Sequence, residues 1–205
     1  MDSFEGLAIE KQNVIVDSAL SAFGRNGYKK ASMSDIACVA GVSKASLFYY
    51  FGSKKELYLY LVDLCSNIVI TSVEKKLDSS LDDFFARLRA ITEIKMETMK
   101  QHPAIPSFLK SLYKETDDAL GDMHGRIKGM LEKYSDIFLL SSIDFTKFKD
   151  GVDPSLVLRF IIWAGEGFVT ELPEGVFADQ LDSFIEEFYV CLEMMEKNFY
   201  MEEYL

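Results

Sequence analysis

Hydroxyl, phenol and ammonium side chains are concentrated in one short stretch, SMSDIACVAGVSKASLFYYFGSK, which covers residues 32–54. Three consecutive aromatic residues, Phe48, Tyr49 and Tyr50, follow a lysine and a serine, and two more lysines come soon after them. Hydroxyls and phenols donate hydrogen bonds to phosphate oxygens, and small apolar side chains such as Ala45 contact thymine methyl groups. These residue types therefore suit contact with DNA.

The spacing of this stretch predicts two short helices joined by a tight turn. Ser32 and Asp35 have the form of a capping box that begins a helix, and Gly41 ends that helix. Ser43 can cap a second helix over residues 44–51. Such a pair is a helix-turn-helix, whose second helix enters a major groove about 12 Å wide. Because about eight residues cannot hold a helix together alone, a larger helical platform must display it.

The second short helix is expected to divide its side chains between the platform and DNA. Leu47 and Phe51 lie four residues apart and should face inward, so the remaining side chains are spread over the outward and lateral faces. Lys44 can reach base edges or phosphates, and Lys54 would place a charge beside the first amides of the following helix. The alternative is that the three aromatic residues only cover the junction with that helix.

Helical periodicity continues along the rest of the chain, with no alternating strand pattern and no internal repeat. We therefore expect an all-α fold of about nine helices. The predicted helices cover residues 8–26, 33–40, 44–51, 54–76, 80–102, 106–120, 123–140, 154–171 and 177–200. Gly27 and Gly121 are expected to end helices, and Ser80 with Asp83 repeats the capping signature.

The predicted elements favour two domains. Residues 1–53 should form a three-helix DNA-binding domain, with the helix-turn-helix at about residues 32–51. Residues 54–205 should form a larger helical domain.

Charge is distributed unevenly along the 205 residues, whose net charge is −11. Residues 11–60 contain seven Lys and Arg against three Asp and Glu, whereas the chain from residue 61 onward contains 15 basic and 27 acidic residues. Such asymmetry is typical of a protein with one polyanion-facing end on an acidic body.

Cysteine and histidine usage gives no sign of a metal or a disulfide. Cys38, Cys65 and Cys191 lack C-x-x-C spacing, and His102 and His124 lack metal-ligand spacing. The acidic N-terminus has no secretory signal, and the apolar runs are too short or interrupted to span a membrane. We expect a cytoplasmic protein with free thiols, no cofactor and no contact with a membrane.

The run ALSAFGRNGYKKASMSDIACVAGVSKASLFYYFGSKKELY, residues 19–58, resembles the DNA-binding domain of the tetracycline-repressor (TetR) family. It has the signatures F-x-x-x-G-Y, S/T-x-x-x-I-A-x-x-A-G-V-S and L-Y-x-Y-F-x-S-K-x-x-L, the last with phenylalanine at Phe48 where the family usually has tyrosine. Ala45 also departs from the glycine usual in the family. The resemblance implies an all-α homodimeric repressor, less often an activator, whose C-terminal domain binds a small molecule. By position it implies DNA contacts from Ser32 or Ser34, Lys44, Ala45, Ser46, Phe48, Tyr49, Tyr50 and Lys54.

The last two predicted helices carry apolar residues at alternating spacings of three and four, which indicates a seam for a partner helix. The resemblance implies that these helices from two protomers form a four-helix dimer interface. The candidate interface residues are Phe160, Ala164, Gly165, Phe168, Leu181, Phe184, Phe188, Cys191 and Met195. The alternative is a seam buried within one protomer. A two-fold dimer would match a pseudo-palindromic operator.

Residues 84–168 are rich in Phe, Met and Tyr, as a pocket for an apolar or aromatic effector would be. The candidate pocket residues are Phe84, Met96, Met99, Phe108, Tyr113, Tyr134, Phe138, Trp163 and Glu166. Such residues also form ordinary cores, and Glu166 could either meet an effector or face solvent.

Two other functions remain open at this point. An enzyme is disfavoured because the chain has two distant histidines and lacks G-x-S-x-G, a phosphate loop and a paired-carboxylate signature. An interaction protein that has kept the helix-turn-helix but lost operator binding is the other alternative.

Overall fold

The computed structural model describes residues 3–115, 120, 121, 125, 129, 134, 140, 142–171 and 178–205, without the side chains of residues 168–171 and 178–184. Over these residues the fold is all-α, as predicted. Eight α-helices are described: α1 Ile9–Lys30, α2 Met33–Val39, α3 Lys44–Phe51, α4 Lys54–Lys76, α5 Phe84–Gln101, α6 Ala104–Tyr113, α7 Pro154–Glu171 and α8 Ala178–Phe199. Three short 3-10 helices cover Phe4–Gly6, Phe145–Lys147 and Glu202–Tyr204. In this part of the chain the only extended pairing is an isolated bridge between Phe148 and Tyr200.

The chain divides into two compact units. The N-terminal unit contains residues 1–68 and 102–126, and the C-terminal unit contains residues 69–101 and 127–205. This division differs from the boundary expected at residue 53. The difference arises because α6, which lies far along the sequence, packs on α1.

Close approach of α1 and α6 depends on Gly24. A methyl group at this glycine would lie 2.8 Å from Ser107 Oγ and 3.0 Å from Phe108 N. Glycine therefore allows the two helix backbones to come together. Beside this crossing, the Phe23 and Tyr58 rings stand edge to face with centroids 5.0 Å apart, and Tyr58 lies 5.3 Å from the Phe108 ring. These aromatic residues form the centre of the N-terminal unit.

The end of α1 bends at Gly27, where φ is +67°. Glycine adopts this left-handed backbone without the steric penalty of a side chain. The bend occurs at the predicted residue, but three further residues make another turn up to Lys30. The Tyr28 amide at this turn donates a 2.9 Å hydrogen bond to Glu115 Oε2, which follows α6. The carboxylate thus satisfies a buried amide that the bend leaves without a helical partner.

The C-terminal unit is built on apolar residues of α5, α7 and α8. Its core also includes Phe148 and the fully buried Tyr200, whose rings are 4.9 Å apart. The Tyr200 hydroxyl accepts a 3.2 Å hydrogen bond from the Phe84 amide at the start of α5. These contacts fasten the end of the chain to the first turn of α5.

Three predicted helix boundaries need correction or comment. Asp83, not Ser80, caps α5, because its carboxylate accepts from the Ala86 amide at 2.8 Å. Helix α6 ends at Tyr113 and does not continue to Gly121. The helix predicted over residues 123–140 falls almost wholly outside the described residues.

By length and composition, α4 is apolar enough to cross a membrane, and no other described helix is. Leu57, Tyr58 and Leu61 of this helix are fully buried. The core helix of a folded protein has the same composition, and these three side chains of α4 lie in such a core.

Candidate nucleic-acid interface

The helix-turn-helix is fixed by two serine caps. Ser32 Oγ accepts from the Ser34 amide at 3.2 Å, which begins α2. Ser43 Oγ accepts from the Ser46 amide at 2.9 Å, which begins α3. Between the helices Gly41 has φ of +62°, a conformation that glycine tolerates best. The predicted helix-turn-helix is therefore formed by the predicted capping residues.

A hydrogen bond not foreseen from the sequence holds the turn. Lys11 Nζ, on α1, donates to the Gly41 carbonyl oxygen at 3.1 Å. Because Lys11 lies 30 residues before the turn, no local motif connects the two. This contact ties the turn of the motif to the platform.

Helix α3 presents a mixed face of aromatic and small side chains. Leu47 is fully buried, whereas Phe48 is 39% exposed and Tyr49 is 52% exposed. Phe51 is half-buried and lies 5.3 Å from the Tyr60 ring of α4. Phe51 thus fills the junction with α4, while Phe48 and Tyr49 stay accessible. The alternative prediction, that the aromatic residues only cover the junction of α3 with α4, therefore does not hold for Phe48 and Tyr49.

The third aromatic residue of the run has an intermediate position. Tyr50 is half-buried, with its ring 5.6 Å from the Tyr49 ring and 6.2 Å from the Phe4 ring. Phe4 is only 3% exposed, and nothing in the sequence pattern singled it out. The sequence offered one signal of its burial, since Phe4 is a lone aromatic residue in an acidic N-terminal segment.

The two lysines of the predicted interface differ in their surroundings. The Lys44 ammonium is exposed and lies 5.9 Å from the centre of the Phe48 ring. The Lys54 ammonium donates to the Lys29 carbonyl oxygen at 3.1 Å and stands 4.7 Å above the Tyr28 ring. Lys54 therefore links α4 to the end of α1, in addition to carrying a positive charge.

All nine predicted DNA-contact residues lie on α2, α3 or at their flanks, within the N-terminal unit. Ser34 and Ala45 are exposed, and Ser32 and Ser46 are half-buried because they take part in the caps. The structure brings this set together. The individual contacts with DNA stay a prediction.

The C-terminal unit leaves large apolar side chains exposed on α7 and α8. Phe160 and Trp163 are each 57% exposed, as is Met194, and Val190 is 66% exposed. Leu156, one turn before Phe160, is also exposed. Spacings of three and four residues place the α7 members on one stripe, and likewise the two on α8.

This arrangement changes the list of predicted interface residues. Phe160 is on the exposed stripe, but Phe188 and Met195 pack against the core of their own unit. For these two residues the structure agrees with the alternative prediction, in which the apolar seam is buried within one protomer. Sequence spacing could not distinguish the two sides of α8, and it did not single out the exposed Val190 and Met194. Ala164, Gly165 and Cys191 are half-buried, and the side chains of Phe168, Leu181 and Phe184 lie outside the described residues.

The predicted effector residues are divided between the two units. Phe108 and Tyr113 belong to the N-terminal unit, and Phe108 is fully buried against Tyr58. Phe84, Met96, Met99, Tyr134, Trp163 and Glu166 belong to the C-terminal unit. Phe84 is buried in the core there, whereas Trp163 is exposed. Phe138 and also His124 lie outside the described residues. The pocket stays a prediction.

One lysine of the C-terminal unit lies among buried neighbours. Lys95 lies on α5 between the buried Ile91 and Thr98, one turn away on either side, and is itself half-buried. Burial lowers the pKa of its ammonium group.

The cysteines behave as expected for free thiols. Burial raises the pKa of Cys65 to about 12, so this thiol does not ionise near neutral pH. Cys38 is exposed and Cys191 is half-buried.

Comparison with known proteins agrees with this geometry. Residues 15–61 match the family model described as bacterial regulatory proteins of the tetR family. The negative transcriptional regulator IcaR of the biofilm operon icaADBC, from Staphylococcus epidermidis, is 27% identical over 125 residues, which cover 60% of this chain and 68% of IcaR. The transcriptional regulator RutR of Escherichia coli K12 is 27% identical over 158 residues, which cover 75% of this chain and 71% of RutR.

The fold also matches a solved structure. The ketosteroid transcriptional regulator KstR2 of Mycobacterium tuberculosis aligns with a TM-score of 0.68 at 20% identity, over 96% of this chain and 98% of that one. A capped helix-turn-helix on an all-α body defines a DNA-binding transcriptional regulator. Over residues 15–61 the chain is similar to the tetR family of such regulators.

Proposed function

We propose that the protein represses transcription by binding a pseudo-palindromic operator and leaves that operator when a small molecule binds. The observation that carries this proposal is α3, which is capped, anchored by Leu47 and accessible at Phe48 and Tyr49. IcaR, a relative of this chain, is described as a negative regulator, which supports repression rather than activation.

In this proposal α3 enters the major groove. Ser32 or Ser34, Tyr49, Tyr50 and Lys54 donate to phosphate oxygens and fix the register of the helix on the duplex. Ser46 and Lys44 reach base edges or phosphates, while Ala45 and Phe48 contact thymine methyl groups. Phe48 lacks the hydroxyl of the tyrosine more usual there, so this position gives apolar contact alone.

The operator-binding form is a homodimer. We place the apolar stripes of α7 and α8, with Phe160, Trp163, Val190 and Met194, against the same stripes of a second copy. Four helices packed in this way would bury the side chains that one protomer leaves exposed. Two recognition helices then have to meet major grooves one turn apart, about 34–36 Å.

The effector binds the C-terminal unit and acts by favouring a dimer whose recognition helices no longer match that spacing. Its body is apolar or aromatic, in keeping with the Phe and Met content of the region. We also propose that the effector carries an acidic group that faces Lys95. An anion there would offset the cost of the half-buried ammonium. An acidic effector should bind Lys95→Met at least about tenfold more weakly than it binds the wild type. Equal binding would show that Lys95 does not pair with an acidic group of the effector.

The protein acts in the cytoplasm and has no catalytic activity in this proposal. The interaction-protein alternative differs in one measurable respect, which is binding to duplex DNA. A gel-shift titration at low ionic strength with fragments flanking its own gene tests this, followed by footprinting of any retarded fragment. A protected pseudo-palindrome is expected. Failure to retard every fragment in the absence of an effector would reject operator binding.

A further inference from the structure

The N-terminal strap, residues 3–7, lies outside the helix-turn-helix but contacts the recognition helix α3 through Phe4. Its Phe4 side chain is 3% exposed, while Glu5 and Gly6 beside it are exposed. A single 3-10 turn, Phe4–Gly6, aims Phe4 inward. The strap would have no reason to order in this way without a hydrophobic contact to offset its lost chain entropy.

Phe4 fills the space where α3 meets α4. Its ring centroid lies 4.8 Å from that of Phe51, 5.6 Å from that of Tyr60 and 6.2 Å from that of Tyr50. The contact with Tyr60 is edge to face, the arrangement that favours aromatic pairs. Phe4 therefore touches both of the last two residues of the recognition helix.

The strap is also pinned from outside this cluster. The side-chain amide of Gln12, one turn into α1, donates from Nε2 to the Leu7 carbonyl oxygen at 2.9 Å and to the Glu5 carbonyl oxygen at 3.2 Å. These two bonds hold the strap against α1. Phe4 is thereby kept at one place relative to the platform rather than swinging with a loose terminus.

Few buried side chains of its own anchor the recognition helix. Leu47 is its only fully buried side chain, and the helix is eight residues long. From Phe4 a continuous series of ring contacts leads through Tyr50 to Tyr49, the most exposed aromatic residue of the helix. A shift of Tyr50 would be passed to the phenol that is proposed to contact phosphate.

We propose that Phe4 is a positioning residue for DNA binding, and that the N-terminal strap is a working part of the DNA-reading surface although its Phe4 does not touch DNA. This inference rests on the proposed operator binding. It assigns to the first residues of the chain a role that neither the helix-turn-helix pattern nor the family match at residues 15–61 includes.

The test compares Phe4→Ala, Phe4→Leu and the control Ile9→Ala, whose side chain is exposed on the first turn of α1. The probe is the fragment flanking its own gene that the wild type retards, at a temperature where circular dichroism shows every variant folded. Phe4→Ala should bind about tenfold more weakly, since a cavity lets α3 shift, and Phe4→Leu should recover most of the affinity. Ile9→Ala should bind like the wild type.

A spectroscopic readout separates positioning from a general loss of stability. Burial, helped by the charge of Glu5, raises the pKa of Tyr60. Phe4→Ala should therefore make one additional phenol titrate near its ordinary pKa, as followed by ultraviolet absorbance. Unchanged DNA affinity in folded Phe4→Ala, or an equal loss in Ile9→Ala, would overturn the proposal.

If Phe4→Ala does not fold, Gln12→Ala tests the same idea, because it releases the strap without opening a cavity. A loss of about threefold is expected, and wild-type affinity would count against the strap. Absence of DNA binding by the wild type itself would reject the operator proposal instead.

Discussion

The two units of the chain expose aromatic residues of different character. On α3 the exposed rings, Phe48 and Tyr49, lie among serines and lysines. On α7 the exposed rings, Phe160 and Trp163, lie along a stripe that begins with the exposed Leu156. The first surface can remain in water because its hydroxyls and ammonium groups are hydrated. Burial of the second surface away from water lowers the free energy.

This difference shows what each surface is fitted to meet. A surface of phenols, hydroxyls and lysines gains most from a polyanion, which offers acceptors and negative charge. An apolar stripe gains most from another apolar surface, at about 25 cal/mol per Å² buried. The acidic remainder of the chain disfavours non-specific binding to DNA. The first surface is therefore suited to DNA and the second to another apolar surface, which we propose is that of a second protomer.

The largest effect is expected at the apolar stripe. Trp163→Arg should weaken dimerisation by at least about 100-fold, because a charge must then be buried where two copies meet. Analytical ultracentrifugation over a concentration series measures this. Val14→Arg is the control, since it adds the same charge to an exposed apolar residue of α1 in the N-terminal unit. A Trp163→Arg protein that remains dimeric would contradict the proposed interface.

Phe188→Arg sharpens the comparison between the two sides of α8. Phe188 packs against the core of its own unit, so the substitution should destabilise folding rather than only separate protomers. Met194→Arg, on the exposed side, should give folded monomers. Thermal unfolding together with sedimentation distinguishes the two outcomes. Folded Phe188→Arg monomers would return Phe188 to the dimer interface.

The next effect concerns the interior of the N-terminal unit. Glu115→Ala should lower the free energy of unfolding by about 1–3 kcal/mol, because the Tyr28 amide loses its buried acceptor. Urea titration followed by circular dichroism measures the change. Glu115→Gln keeps an acceptor oxygen and should lose less. Equal losses in both variants would show that charge, not the hydrogen bond, is what matters at this position.

A smaller effect is expected in the C-terminal unit from Asp83 and Lys147, whose charged atoms are 2.9 Å apart. Burial acts to raise the pKa of Asp83, but hydrogen bonds from the Ala86 amide and from Lys147 outweigh it, so this pKa is below its ordinary value. The stabilisation is therefore present above the unfolded-state pKa of an aspartate and is lost as pH falls through the folded-state pKa.

Asp83→Asn should cost about 1 kcal/mol near neutral pH, since the pair is only partly buried, and much less at about pH 3. Urea titrations at the two pH values measure the difference. Lys197→Met, which removes the exposed Glu193 pair on α8, is the control and should change little. An Asp83→Asn loss that does not depend on pH would show that the charge of Asp83 is not the source of the stabilisation.

The sequence predicted the parts of the fold that local chemistry decides. Ser32 and Ser43 cap their helices, Gly41 forms the turn and Leu47 faces inward, because each depends on neighbours within a few residues. Long-range packing was not predictable in the same way. The approach of α6 to Gly24, the Glu115 bond to Tyr28 and the burial of Phe4 connect residues far apart in sequence. A periodic pattern shows that a helix has an apolar face, but not which partner covers it.

The candidate site follows the same division. The nine residues proposed to contact DNA were found because they belong to one local motif. The exposure of Val190 and Met194 was not predicted, because spacing alone places apolar residues on both sides of α8 and only the packed structure shows which side its own core uses. The effector residues were the least predictable, since aromatic and methionine side chains form cores and pockets alike.

The smallest expected effect distinguishes two roles of Lys54, which α4 carries at its first residue. Lys54→Ala should weaken binding across all DNA sequences and lower the slope of log affinity against log salt by about 0.9, the value for one phosphate contact. In the free protein its ammonium already bonds to the Lys29 carbonyl oxygen and stands over Tyr28. If this linkage were its whole role, affinity would fall with no change in slope. The wild-type Lys44 ammonium is exposed, so Lys44→Ala provides the reference change in slope. Tyr49→Phe should weaken binding without changing the slope, because a phenol carries no charge.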